Sequence, residues 1–366
     1  MLISNGTFNF FSIKNLLNLT KILIFYSLYS KSALNKKTGK LLKNIINNTN
    51  TPIYLYISGR SSLYAVLKYL KGVYPAKKVL IPDYTCNVIH KAIESAGLHF
   101  DIYPTNNFFE PNISEIVKKV DTDTLAIVGA NIFGSEGLSV KDIKDVFAML
   151  KCNPVVIHDC AQNIEKINKI NDKELKQIAV FSFNDKDIWS IMGGGFASNF
   201  DIDLKNDKKV TLRHEFLFLR RFIKKLIYSL YCMLAKRGNC SLNEYDYSDC
   251  KSFVFSINDF EIAKISLACG IVGLGMLKKI KQQRIKNYNY LKTCLCNHGI
   301  EITQTKEVEY SPYIPFNLAN CDRTILNSVI SIKSPYARYD NPEISDKSSN
   351  FCFHNNYMFD YSKIKV

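Results

Sequence analysis

The chain has 366 residues, 47% of them hydrophobic, and its 48 Lys and Arg against 33 Asp and Glu give a formal charge of +15. Such a length exceeds one ordinary domain and buries a sizeable core, so a large domain and a smaller one are expected of a soluble globular protein. The basic residues are spread along the chain without any zinc-finger, RNA-recognition or helix-turn-helix signature, which argues against nucleic acid and leaves an anionic substrate or an anionic membrane surface.

Residues 1–50 form an N-terminal helical segment whose apolar stretch is broken by Lys14 and Lys21, so neither a secretory signal nor a bilayer span is expected. From Ile53 to about Phe200 short apolar runs alternate with amphipathic segments. Ile53–Ile57 leads into Arg60–Leu70, and Lys78–Ile81 into Asn87–Ala96. Then follow His99–Tyr103, Thr124–Val128 before Val140–Leu150, Val155–Ile157 and Ile178–Phe183. Repeated strand, helix, strand units imply right-handed crossovers, hence a mostly parallel sheet covered on both faces, with ligands at the carboxyl ends of its strands.

The large domain is expected over 51–250. It includes a basic amphipathic helix near 214–236, with Leu219, Phe222, Ile223, Leu226, Leu230 and Leu234 on one face and Arg220, Arg221, Lys224 and Lys225 opposite. A helix of this kind suits an anionic lipid surface, giving a peripheral membrane contact through 216–234. More commonly it buries its stripe in a dimer or against the body of the protein. Residues 251–366 are read as a helical connection over Asn258–Leu295 and a small, shortened C-terminal domain. Gly270, Gly273 and Gly275 either permit close helix packing or mark a break. Ile300–Ile302 is a short β-like piece, and the tail beyond Pro335 shows no clear periodicity. The eleven cysteines lack paired zinc spacing, so no metal site is expected, and they read as reduced thiols of a cytoplasmic protein.

Four groups of residues carry chemistry. Ser58-Gly59-Arg60-Ser61-Ser62 lies between a strand and a helix, where outward amide groups and hydroxyls suit a phosphate; a plain helix cap by Ser58 or Ser61 explains the serines equally well. Asp159 ends a buried strand, where it would either keep a pyridine nitrogen protonated or cap the next helix. In Phe181-Ser182-Phe183 the alternation turns Ser182 away from the aromatics. Lys186, in the loop that follows, is placed to act as an amine nucleophile and proton shuttle, and Gly193-Gly194-Gly195 is read as a tight turn beside it.

Taken in order these motifs resemble the DegT/DnrJ/EryC1/StrS sugar aminotransferases, of the aspartate-aminotransferase-like fold type I that binds pyridoxal phosphate. The match runs as Ser58–Leu63, Pro82–Thr85, Phe133-Gly134, Asp159–Gln162 and Phe181–Gly195, covering Ile53–Ser198 well and Phe255–Leu295 more loosely. The resemblance implies an α/β fold with a mostly parallel sheet, pyridoxal 5'-phosphate as cofactor, and a homodimer with sites at the interface. It further implies that Gly59, Arg60, Ser61 and Ser182 hold the cofactor phosphate, Asp159 pairs with the ring nitrogen, Gln162 meets the ring hydroxyl, and Lys186 forms the imine. Cys86 stands where the family commonly stacks an aromatic residue, and Tyr84-Thr85-Cys86 resembles a branch associated with polysaccharide gene clusters.

The implied reaction moves an amino group from an amino acid such as glutamate to a nucleotide-linked keto-sugar. Three departures accompany the likeness. The family's interval of five residues after Ser182 would place Asp187 at the lysine position, and a one-residue deletion restores Lys186. No Gly-Tyr-Asn segment is found near Phe253–Asn258, and the C-terminal domain is short. A catalytically inactive relative serving as a scaffold is the alternative. Sugar dehydration fits less well, because that chemistry replaces the lysine with histidine and no His lies between Phe181 and Gly195.

Overall fold

The computed structural model describes residues 13–106, 108–149, 153–183, 190, 193–204, 209–234, 261–297, 302, 305–317 and 350–354. Two helices open it, α1 (Ile13–Leu28) and α2 (Lys31–Ile46). Ser30 caps α2 by accepting the Ala33 N–H, and Asn47 ends it in the left-handed conformation. Leu34, Thr38, Leu42 and Ile46 of α2, spaced by four, form its buried stripe.

The strands and helices of the next section are β1 (Ile53–Tyr56), α3 (Gly59–Val73), β2 (Lys78–Pro82), α4 (Asn87–Ser95), β3 (His99–Tyr103), α5 (Ile113–Lys119), β4 (Thr124–Ala130), α6 (Val140–Met149), β5 (Val155–Asp159), β6 (Gln177–Ser182) and β7 (Gly194–Ser198). They form one seven-stranded sheet in the order β1-β7-β6-β5-β4-β2-β3. β3, β2, β4, β5 and β6 run parallel, and β7 runs antiparallel to both β1 and β6. The strands anticipated between Ile53 and Phe183 are all present, and β4, with every residue buried, lies inside the sheet between β5 and β2.

Alternation divides the core between the two faces. Ala179, Phe181 and Ala197 belong to a cluster with α1, α2 and the helix α8 (Lys264–Leu274), whereas Ile178, Val180 and Phe196 pack with residues of α3 and α4. Helix α8 is buried at every position from Ile265 to Leu274, which fits its apolar character all round. Its Gly270 allows Phe183 close, since a Cβ there would stand 3.1 Å from the ring, while Gly275 ends the helix. Helix α9 (Leu277–Asn297) starts two residues later. Both expectations for these glycines therefore hold, at different positions.

Two corrections concern element identity. Gly194 and Gly195 do not form a turn; they begin strand β7, and only Gly193 has a positive φ, +132°. What they permit is close approach, because a Cβ on Gly194 would lie 2.3 Å from the Gly59 nitrogen and one on Gly195 2.3 Å from the Tyr54 carbonyl oxygen. The tail beyond Pro335 contains a strand, β9 (Asn350–His354), which pairs antiparallel with β8 (Tyr313–Asn317). Its Asn-Phe-Cys-Phe-His alternation is the signal that marks it.

Helix α7 (Leu212–Leu234) is apolar on two faces rather than one. Phe218 and Phe222 are buried, while Leu212, Phe216, Ile223 and Ile227 are exposed. The stripe read from spacing is therefore split by the contact with α8. Ile300 and Glu301 lie outside the described residues, and Ile302 makes an isolated bridge.

Gly195→Ala should cost roughly 1–3 kcal/mol, because the clash is with backbone that cannot move aside. Gly39→Ala in α2, where nothing stands within 4 Å of a Cβ, should instead stabilise by about 0.5–1 kcal/mol. Urea unfolding of both variants checks the contrast.

Candidate active site

The carboxyl ends of β1, β2, β4, β5 and β6 meet along one edge of the sheet, and the motifs lie there. The first turn of α3 is fixed at its start by Ser58, whose Oγ accepts the Ser61 N–H at 3.1 Å. The Ser61 hydroxyl meets the Ser58 hydroxyl at 2.9 Å, and Ser62 Oγ donates to the Gly59 carbonyl at 2.7 Å. The cap reading of Ser58 is thus correct. What this turn offers an anion is the amide groups that precede Ser61 and the hydroxyls beside them.

Ser182 stands directly beside this turn. A Cβ on Gly59 would be 3.2 Å from the Ser182 Cβ and 2.9 Å from the Phe181 carbonyl oxygen, so only glycine lets α3 begin here. Arg60 is half-buried, and burial pulls its guanidinium below its ordinary pKa while the neighbouring Cys86 pushes the other way. Cys86 sits at the start of α4, facing the same corner, and makes no side-chain cap bond.

One strand over, the pairing of β5 with β6 sets Asp159 against Val180, two residues before Ser182. The Asp159 Oδ1 accepts the Ala161 N–H at 3.0 Å, a local turn of the kind Asp often makes. Among the described residues Asp159 has no ion pair. Desolvation raises its pKa from 3.8 to about 6, an effect the single N–H bond only partly offsets. His158 points to the other face, wholly buried, with Nε2 paired to the Gln177 Oε1 at 2.9 Å; burial and the nearby Lys169 drive its pKa down to about 3, so it stays neutral.

Gln162 is buried in the turn after β5, and its Oε1 accepts the Phe133 N–H at 2.9 Å. Its amide N–H groups remain as donors for an acceptor such as a ring oxygen. Phe133 and Phe109 both hold positive φ, +52° and +61°, and with Tyr84 they form a triangle of rings whose centroids are 5.0 to 5.9 Å apart. Two bulky residues in the left-handed region mark backbone held against its preference, as occurs around binding sites. Spacing alone could not reveal this cluster, since its members come from three separate loops.

The loop from 131 to 138 is tied from behind. Asn131 Nδ2 donates to the Ser135 and Glu136 carbonyls. Lys169, half-buried and lowered to about 8 by desolvation, donates to the Glu136 and Leu138 carbonyls. From the C-terminal side Thr305 Oγ1 donates to the Phe133 carbonyl and the Glu307 N–H to Gly134. Glu307 also pairs with Lys166 at 2.7 Å.

The structure therefore brings Ser58–Ser61, Ser182, Arg60, Cys86, Asp159 and Gln162 to one edge. Lys186 and its rival Asp187 lie outside the described residues, as does the span Phe253–Asn258. The set fits a phosphorylated pyridine: a helix start and Ser182 for the phosphate, a carboxyl lacking a cation for the ring nitrogen, and an amide for the ring hydroxyl.

Asp159→Asn should reveal the cost of that carboxyl. Its folded pKa lies above the unfolded value, so ionisation destabilises the protein as pH rises from about 4 to about 6. Unfolding of the cofactor-free variant should show a gain of up to about 3 kcal/mol above pH 6 that vanishes below about pH 4. Cofactor affinity, measured by titration, should fall.

Comparison with known proteins bears on the fold and the family. No curated protein sequence matches. Among solved structures, NtdA of Bacillus subtilis with bound cofactor PMP superposes with a TM-score of 0.63 at 15% identity, over 99% of this chain and 84% of that one. The sugar aminotransferase CalS13 of Micromonospora echinospora gives 0.54 at 13% identity, over 91% and 89%. The histidinol-phosphate aminotransferase of Clostridium acetobutylicum gives 0.53 at 13%, over 97% and 94%. These likenesses establish the fold type I architecture. The sequence profile of the DegT/DnrJ/EryC1/StrS aminotransferase family matches residues 56–324, and the chain belongs to that family of pyridoxal-phosphate-dependent aminotransferases.

Proposed function

We propose that this aminotransferase acts on a nucleotide-linked keto-sugar, with glutamate as amino donor, in polysaccharide or lipopolysaccharide biosynthesis. The observation that carries the reading is the family match across a sheet edge where Gly59, Ser182 and Asp159 converge. The formal charge of +15 favours the diphosphate of such a substrate, and Arg60 offers a cation in the cleft corner. The working unit is a cytoplasmic homodimer.

Pyridoxal phosphate, when bound, supplies an electron sink for the carbon whose amino group is exchanged. The residues of this chain bind and orient it. The first turn of α3 and Ser182 would hold the phosphate, Gln162 would donate to the ring oxygen, and Asp159 would accept the N–H of the protonated ring nitrogen. A cationic ring nitrogen beside Asp159 would also return that carboxyl to its ionised form. The triangle of Tyr84, Phe109 and Phe133 is buried and excludes water from the end of the cleft it lines. Lys186 Nζ is the base that removes the proton from the donor's α-carbon and, in the second half of the cycle, delivers one to the sugar carbon that receives the amine.

Purified protein loaded with pyridoxal phosphate and assayed with glutamate against a panel of nucleotide keto-sugars tests the proposal. Lys186→Ala should remove the visible absorption band of the bound cofactor and lower turnover by about 10²–10⁴-fold, whereas Asp187→Ala should retain both. Turnover surviving in Lys186→Ala would overturn the lysine assignment. A wild type that binds no cofactor at all would support the inactive scaffold instead.

A further inference from the structure

Helix α7 and helix α1 meet at the start of α8. Both carboxylate oxygens of Glu215 in α7 accept the Lys264 N–H at 2.9 Å, and the Lys264 ammonium lies 4.9 Å over the Tyr26 ring of α1. From this junction each helix turns an apolar row outward. On α7 the row is Leu212, Phe216, Ile223 and Ile227, with Leu212 89% and Phe216 65% exposed. The increments of four, seven and four keep these residues on one side of a helix, away from the buried Phe218 and Phe222. On α1 the row is Leu17, Ile24 and Leu28, spaced by seven and four, with Leu28 77% exposed.

Charge follows the same pattern. The first fifty residues contain seven lysines and no Asp or Glu. Helix α7 carries Arg213, Arg220, Arg221, Lys224 and Lys225 against one acid, Glu215, which is occupied by the start of α8. Exposed Lys21, Lys36, Lys37 and Lys40 extend the basic field across α1 and α2.

We infer that the outward faces of α1 and α7 together dock this protein on the surface of an anionic lipid bilayer. An apolar row rimmed by cations matches the boundary between acyl chains and acidic headgroups, where both features contribute. A symmetric contact with a second copy would set this basic face against its own like charges. Nucleic acid would use the cations and leave the apolar rows in water. No described helix is long and apolar enough to cross a membrane.

Co-sedimentation of the full chain, loaded with pyridoxal phosphate, with vesicles of phosphatidylcholine alone or mixed with phosphatidylglycerol tests the inference. Binding should be confined to the mixed vesicles and weaken with added salt. Phe216→Ser with Ile227→Ser, and separately Leu17→Ser with Leu28→Ser, should each lower partitioning by about tenfold. Arg213→Glu should lower it by a similar factor, about tenfold. All these positions are exposed, so thermal unfolding should stay as in the wild type. Equal binding to both vesicle types, or to neither, overturns the inference. So does a drop in mass by light scattering for the Phe216 and Ile227 variant with lipid binding intact, which would assign the row to a second copy.

Discussion

The approach of strand β7 to the start of helix α3 is the contact on which the site depends. Gly194 and Gly59 meet with no side chain between them, since a Cβ on either would overlap the other's neighbourhood. That closeness allows β7 to enter antiparallel between β1 and β6, and it lays the first turn of α3 against Ser182. Were either position bulkier, the helix start and the serine would part. The glycines therefore act through volume rather than through flexibility.

A second constraint is electrostatic. Asp159 ends a buried strand with one N–H bond and no cation among the described residues, a state that raises its pKa to about 6. Natural sites hold such costs where a ligand removes them, and the protonated ring nitrogen proposed above would be the complement. The loop beside it is also held under tension. Phe133 keeps its positive φ in a loop whose backbone groups Gln162, Asn131, Lys169 and Thr305 satisfy from several directions, and Phe109 keeps its own in a separate turn closed on Asn106. Lys169 replaces the water its ammonium would prefer with two carbonyls, and desolvation lowers its pKa to about 8 as the consequence.

Legibility varied with the range of the interaction. Strands β2, β4, β5 and β6 were readable because burial on both faces demands unbroken β-branched and apolar runs, as in Val155-Val156-Ile157. Strand β7 was not, because three glycines imitate a turn and only neighbouring backbone shows why they are there. The stripe on α7 was visible as periodicity, yet spacing could not divide it into a buried Phe218 and Phe222 face and an outward one. β9 escaped because its partner β8 lies more than thirty residues upstream. At the site, Asp159, Gln162, Ser182 and Ser58–Ser61 were found as motifs, whereas the ring triangle and the Lys169 tether were not.

What the sequence determined by itself was the class of fold, the family, the cofactor and most of the residues at the sheet edge, because each depends on local pattern or on fixed order along the chain. What only the tertiary structure decided was which groups share an environment: the raised carboxyl of Asp159, the strained pair Phe109 and Phe133, and the joining of α1 to α7 at Lys264. Desolvation, backbone strain and surface continuity arise from contacts between distant segments, and no local pattern encodes them.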